Sequence, residues 1–118
     1  KLYSYNIICN GEVEKIPFPA STNGGLLLNK EGGVKRFDSL ALESNGNVCV
    51  ATLVNGGISV ISPSGELVEF VNFEDPYITN ICFGSHKLKT AFITASYEGL
   101  LLEVDWNREG LPLNFLNK

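Results

Sequence analysis

The 118-residue chain has no methionine, one histidine and one tryptophan. It contains no apolar run near the ~18 residues that a membrane-crossing helix needs. No membrane partner is expected. The single histidine, His86, sits in a Gly-Ser-His-Lys turn without the aspartate and serine pattern of a triad and reads as a solvated loop residue. The three cysteines, Cys9, Cys49 and Cys82, are an odd number and lack C-x-x-C spacing, which argues against a zinc site. Cys49 and Cys82 fall in strongly apolar patterns and are expected as reduced core residues of a cytoplasmic protein. Basic residues are few, nine against thirteen acidic ones for a net charge of −4, and they are scattered. Phosphate binding draws its free energy from clustered Lys and Arg, so no nucleic acid partner is expected. The start, Lys1-Leu2-Tyr3-Ser4-Tyr5, has the basic end of a signal peptide but not its apolar run or cleavage site. A start without methionine reads as a beginning inside a longer ancestral protein, or as the product of processing or truncation.

Helical periodicity is missing too, because no window carries a sustained i, i+3, i+4, i+7 apolar pattern. What is present is strand. Leu2 to Ile8, Val13 to Phe18, Leu40 to Glu43, Val48 to Leu53, Ile58 to Ile61, Leu67 to Val71, Ile78 to Phe83, Ala91 to Ser96 and Leu100 to Trp106 are short and rich in β-branched or aromatic residues. Gly, Asn, Ser or Pro bound each of them. Asn10-Gly11, Asn45-Gly46 and Asn55-Gly56-Gly57 supply the positive φ of tight hairpins, and Ser62-Pro63-Ser64-Gly65 fits a four-residue turn. The apolar fraction of 44% with 19% charged residues is that of a globular, soluble domain.

The strands repeat. Ser39-Leu40-Ala41-Leu42, Asn47 to Thr52 and Gly57 to Ile61 align with Asn80-Ile81-Cys82-Phe83, Thr90 to Ala95 and Gly99 to Glu103, at an offset of about 41 to 43 residues, the length of one four-stranded propeller blade. The expected architecture is all-β, with about two and a half antiparallel blades. Residues 1–19 are the outer strands of an incomplete blade, 20–36 a linker, 37–74 a blade and 75–118 a C-terminal blade. Propellers close rings of about four to eight blades. The expected resolution is therefore self-association into a homo-oligomer, or a complementary fragment that closes the ring. A sandwich of about nine strands is the competing architecture.

Several of these motifs, taken in order, carry a resemblance. Leu2-Tyr3-Ser4-Tyr5-Asn6 with Asn10-Gly11-Glu12-Val13 looks like an outer hairpin of the family of senescence marker protein, gluconolactonase and luciferin-regenerating enzyme. Phe37 to Thr52 resembles that family's Pro-Asp-Gly strand with its acidic-Gly turn, and Gly57 to Leu67 its next hairpin. Thr79 to Gly84 and Gly110-Leu111-Pro112 complete the match, which is to the C-terminal part of the family. The resemblance implies a six-bladed propeller that hydrolyses sugar lactones with one divalent metal held by a Glu, an Asn and the Asp of the Pro-Asp-Gly motif. Only the last has a counterpart here, Asp38, in the altered setting Phe37-Asp38-Ser39.

By this resemblance Asp38 is the candidate catalytic and metal-binding residue, with Ser39 beside it as a further metal oxygen. The cofactor would be a divalent ion, Ca²⁺ first, with Mg²⁺, Mn²⁺ or Zn²⁺ as the other candidates. The alternative is that Asp38 caps the linker and turn with a backbone hydrogen bond. Thr79 and Asn80 stand at the equivalent place in the next blade and are candidates for binding a small-molecule lactone, or else satisfy backbone groups at a strand start. Ser96 and Tyr97 approach the same rim or lead into the turn at Gly99. Trp106 is expected to pack an outer strand. Gly24-Gly25 and Glu31-Gly32-Gly33 lack the strand, spacing and helix of a nucleotide loop. The expected function is metal-dependent hydrolysis of a sugar lactone or related ester. The alternatives are a non-catalytic propeller fragment that acts as a binding or assembly module, and one part of a split enzyme.

Overall fold

A computed structural model describes residues 2–14, 26–28 and 36–116. It is all-β: β1 (Leu2–Tyr3), β2 (Ile7–Cys9), β3 (Glu12–Val13), β4 (Leu26–Leu28), β5 (Arg36–Leu42), β6 (Val48–Leu53), β7 (Gly57–Ile61), β8 (Leu67–Asn72), β9 (Ile78–Gly84), β10 (Thr90–Ala95) and β11 (Leu100–Asp105), with one 3₁₀ turn at His86–Leu88. Four strands, β5-β6-β7-β8, form one antiparallel meander, and β9, β10 and β11 form a second. The repeat read in the sequence is thus two successive blades. β2 and β3 pair as a hairpin across Asn10-Gly11, and β1 pairs with β4. β4 lies within the stretch read as a linker. The rest of that stretch up to Lys35, and residues 15–18 of the expected second strand, lie outside the described residues. Among the described residues β11 pairs only with β10, so the second blade has three strands and an open edge.

Alternation along the strands decides where the core lies. On β6 and β7, Cys49, Ala51, Ile58 and Val60 are fully buried against the second blade, which contributes Ile78, Ile81, Ala91, Ile93, Ala95 and Trp106. The opposite face of the first blade is buried as well, through Val50 and Ile61, with Leu2, Phe37, Val48 and Leu67 packed on them. A strand covered on both faces reads as an unbroken apolar run, which is why Val48 to Leu53 shows little alternation in sequence. Each fully buried Ile contributes about 1.5–3 kcal/mol. On that second face the hydroxyls of Thr52 and Ser59 bond to each other at 2.8 Å across β6 and β7, so neither is left unpaired in the core.

β9 departs from simple alternation at Thr79, where the pairing with β10 slips by one residue. Beyond this bulge Ile81 faces the core and Cys82 faces out. The expectation of a buried Cys82 is therefore corrected: Cys49 is buried, while Cys82 and Cys9 are exposed, and all three are free thiols. An apolar neighbourhood in sequence does not reveal the phase change that a bulge introduces.

Beyond β11 the chain does not add a fourth strand. It turns back across the ends of both blades: Trp106 N donates to Lys89 O, Gly110 N to Leu88 O, Ser44 N to Glu109 O and Leu111 N to Leu42 O. Gly110 bridges to Glu43 in this strap, so close to Phe83 that a Cβ there would lie 2.4 Å from the Phe83 side chain. Gly110→Ala is expected to destabilise the chain by about 1–3 kcal/mol, the cost of overpacking a fitted site. A lowered urea midpoint at unchanged slope checks this, and an unchanged midpoint contradicts the packing described.

Candidate functional site

Two hydrogen-bonding details show which strand ends lie together. Arg36 pairs with Leu53, and the N–H of Val54 just beyond donates to Pro76 O at 2.7 Å, immediately before β9. The starts of β5 and β9 therefore share one end of the blades, and the strap covers the other. Val54 has φ 71°, a strained value for a β-branched residue, and the hydrogen bond from its N–H to Pro76 O helps hold it there.

The candidates from the sequence lie at the β5 and β9 starts. Asp38 is exposed and Ser39 half-buried, and both sit where the β5–β6 register slips between Phe37 and Leu40. Thr79 occupies the corresponding bulge of β9. Bulges re-aim side chains at the rims of sheets, and both blades use one at the same place. The Thr79 hydroxyl lies 2.8 Å from Thr94 Oγ1 and 2.8 Å from Ser96 Oγ, a cluster of three hydroxyls. Asn80 is exposed, and its Oδ1 accepts the backbone N–H of Ile81 at 2.8 Å. Among the described residues no three His, Cys, Asp or Glu side chains come together to hold a metal. One carboxylate and a neighbouring hydroxyl fall short of the roughly six to eight oxygens that Ca²⁺ takes, so the described residues do not by themselves fit such an ion.

The most elaborate polar centre is at the opposite end. Glu43, directly after β5, is completely buried. Its carboxylate accepts from Trp106 Nε1 at 2.8 Å, from Arg108 Nε at 2.7 and 2.8 Å, from Asn47 Nδ2 at 2.9 Å and from the Cys49 thiol at 3.4 Å. Arg108 extends its Nη2 to Glu69 at 2.7 Å, so one guanidinium joins the first strand of the blade to its last. Trp106 also packs edge-on against Phe83, with ring centroids 5.9 Å apart. Its expected place on an outer strand is corrected: it lies in the core between blades, because the chain turns inward directly after β11. Burial pushes the Glu43 carboxyl up, and the hydrogen bonds from Trp106, Arg108 and Asn47 with the Arg108 charge outweigh it, leaving it below its ordinary 4.5. Burial also drives the Cys49 thiol far up, aided by the Glu43 charge, so it stays a neutral donor.

Glu43 was not singled out in the sequence. The available signal was its phase: it follows Ala41 on the inward-facing side, and a carboxylate there demands a buried partner. Trp106-Asn107-Arg108 supplied the donors sixty-odd residues away, a pairing that spacing alone does not indicate.

A meander of four strands packed face to face on a second meander, with the first strand of each blade adjacent, defines this chain as part of a β-propeller. The family model of the SMP-30/gluconolactonase/LRE-like region matches residues 9–97, and the chain belongs to that family. An X-ray structure whose protein carries a provisional assignment as a gluconolactonase superposes with a TM-score of 0.71 at 22% identity. That match covers 94% of this chain and 33% of the other, so the chain spans about a third of the neighbour's length. No curated protein matches the sequence.

Because the folded Glu43 carboxyl sits below its unfolded value, the stability it contributes is complete above about pH 4.5 and is lost as pH falls through the folded pKa. Glu43→Gln is expected to cost about 3 kcal/mol near neutral pH, since it leaves Arg108 half-paired, and to flatten the acid limb of the stability curve. Urea midpoints measured from pH 7 to pH 3 check both. A variant whose acid limb runs parallel to that of the unaltered chain would assign the acid sensitivity elsewhere.

Proposed function

We propose that this chain is part of a gluconolactonase-like hydrolase acting on a sugar lactone or a related ester, and that Asp38 is its contribution to the reacting end. The observation that carries the reading is the placement of Asp38. In a member of this family, it is an exposed carboxylate on the first strand of a blade, at a bulge and at the same end as the Thr79 cluster. An ionised carboxylate in contact with solvent can take a proton from water attacking a lactone carbonyl, and it can lend one oxygen to a hard cation. Ca²⁺ is the first candidate, ahead of Mg²⁺, Mn²⁺ and Zn²⁺, with the remaining donors supplied from outside the described residues. Thr79 and Asn80 are the proposed contacts for substrate hydroxyls. The ring would be closed by further copies of the chain or by a complementary fragment, in a cytoplasmic setting that keeps the exposed thiols reduced.

A second reading, a non-catalytic binding or assembly module, is favoured by one observation. The best-built polar centre, around Glu43, is buried and spends its capacity on holding two blades together.

The test is lactone hydrolysis with each divalent ion added, alongside the solution mass. Asp38→Ala is expected to lower turnover by at least about 10²-fold, the scale of losing a positioned acid–base group. It should change stability by less than about 0.5 kcal/mol, because the side chain is exposed. Full activity in this variant would remove Asp38 from the site. A chain that stays monomeric and hydrolyses no lactone with any of these ions would favour the binding module.

A further inference from the structure

The loops at the Asp38 end contain a pair of exposed aromatic rings held by a rigid frame. Tyr77 is 44% exposed and Tyr97 69% exposed. Their ring centroids are 6.2 Å apart with planes tilted by 41°. Tyr77 precedes β9, and Tyr97 lies in the turn between β10 and β11.

Asp75, itself 6% exposed, fixes both. Its Oδ1 accepts the Tyr77 N–H at 2.6 Å and its Oδ2 the Glu98 N–H at 2.8 Å, so one buried carboxylate ties the two loops together. Ser96 N donates to Tyr77 O at 2.9 Å, and the Ser96 hydroxyl joins Thr79 and Thr94. The backbone on either side of each tyrosine is therefore fixed before anything binds. Tyrosine adds a large amphipathic contact area with only two rotatable side-chain angles to order. An exposed aromatic pair pre-ordered in this way has the features of a recognition surface.

From these features we infer that Tyr77 and Tyr97 form a stacking platform for the C–H face of a cyclic polyol, and that the hydroxyls of Thr79, Thr94 and Ser96, linked to the Tyr77 backbone through Ser96, meet the ring's hydroxyl groups. A pyranose-type ring has two chemically distinct borders, axial C–H groups over its face and hydroxyls around its edge. Aromatic faces are electron-rich and attract the polarised C–H groups, while hydroxyls that both donate and accept match the edge. The tilt lets one tyrosine lie under the ring while the other flanks it. A proline-rich peptide would also use the tyrosines, but its prolines offer the neighbouring hydroxyls only carbonyl acceptors and no donors.

The choice of ligand rests on the proposed function, but the platform does not require a metal or a reacting carbonyl. Its test therefore uses methyl β-D-glucopyranoside, which is not a lactone, titrated into the full chain with the tyrosine ring resonances followed by NMR. Saturable millimolar binding that shifts the Tyr77 and Tyr97 ring signals is expected. Tyr97→Ala should weaken it at least about fivefold, and Tyr97→Phe should stay within about twofold of the unaltered chain. The absence of saturable binding would overturn the inference, and so would undiminished binding by Tyr97→Ala, or binding of a proline-rich peptide that the glucoside does not displace. Glucoside binding by a chain that stays monomeric and hydrolyses no lactone with any of the divalent ions would leave the platform standing and count against the hydrolase reading. Hydrolysis unaffected by Tyr97→Ala would do the reverse.

Discussion

The way the two blades meet turns on one fully buried carboxylate, Glu43. Glu43 has no access to water, and an ion without solvent is tolerable only if protein groups replace every lost hydrogen bond. Trp106, Arg108 and Asn47 do so from two directions along the chain. Because two of those donors belong to the segment after β11, satisfying the charge requires that segment to cross back over the first blade. The apolar surfaces of β6, β7, β9 and β10 supply most of the attraction between blades, but apolar contact is non-directional. The carboxylate fixes which crossing of the chain is acceptable, since any other leaves Glu43 or Arg108 unpaired.

This arrangement separates the molecule into an end built for permanence and an end open to solvent. At the strap end the polar groups are saturated, Gly110 leaves no room for a side chain, and the thiol of Cys49 is held neutral. At the other end Asp38, Asn80, Tyr77 and Tyr97 face water on loops and bulges. Rigid scaffolding at one end allows variable chemistry at the other, the division that propellers share with other folds that carry function on their loops.

The blades were legible in the sequence because their signals are local: turn glycines such as Gly46 and Gly56, β-branched strands, and a repeat near blade length. The two observed meanders follow that reading strand by strand. What was not legible depends on contacts between distant residues. The bulge at Thr79 moves Cys82 from core to surface, and nothing in Ile81-Cys82-Phe83 announces the slip. Trp106 looked like an outer-strand residue because its hydrogen-bond partner, Glu43, lies on the other blade. Asp38 was visible only through family likeness, and its local geometry, an exposed carboxylate at a bulge, gives no independent metal signature. The Asp75 staple was missed entirely, since an aspartate before proline reads as an ordinary turn former until the Glu98 amide is seen to close on it.

Among the described residues β11 leaves one edge open, and this has a colloidal consequence. An unpaired strand is a template for another, and the exposed Leu100 and Leu101 make this one adhesive. Glu103 and Asp105 lie on the same strand, so two such edges approaching each other carry like charges toward one another. That repulsion disfavours the meeting of two identical acidic edges more than the approach of a neutral or basic strand. Salt shortens the reach of that repulsion, so ionic strength governs how well the edge discriminates between its own kind and a different strand.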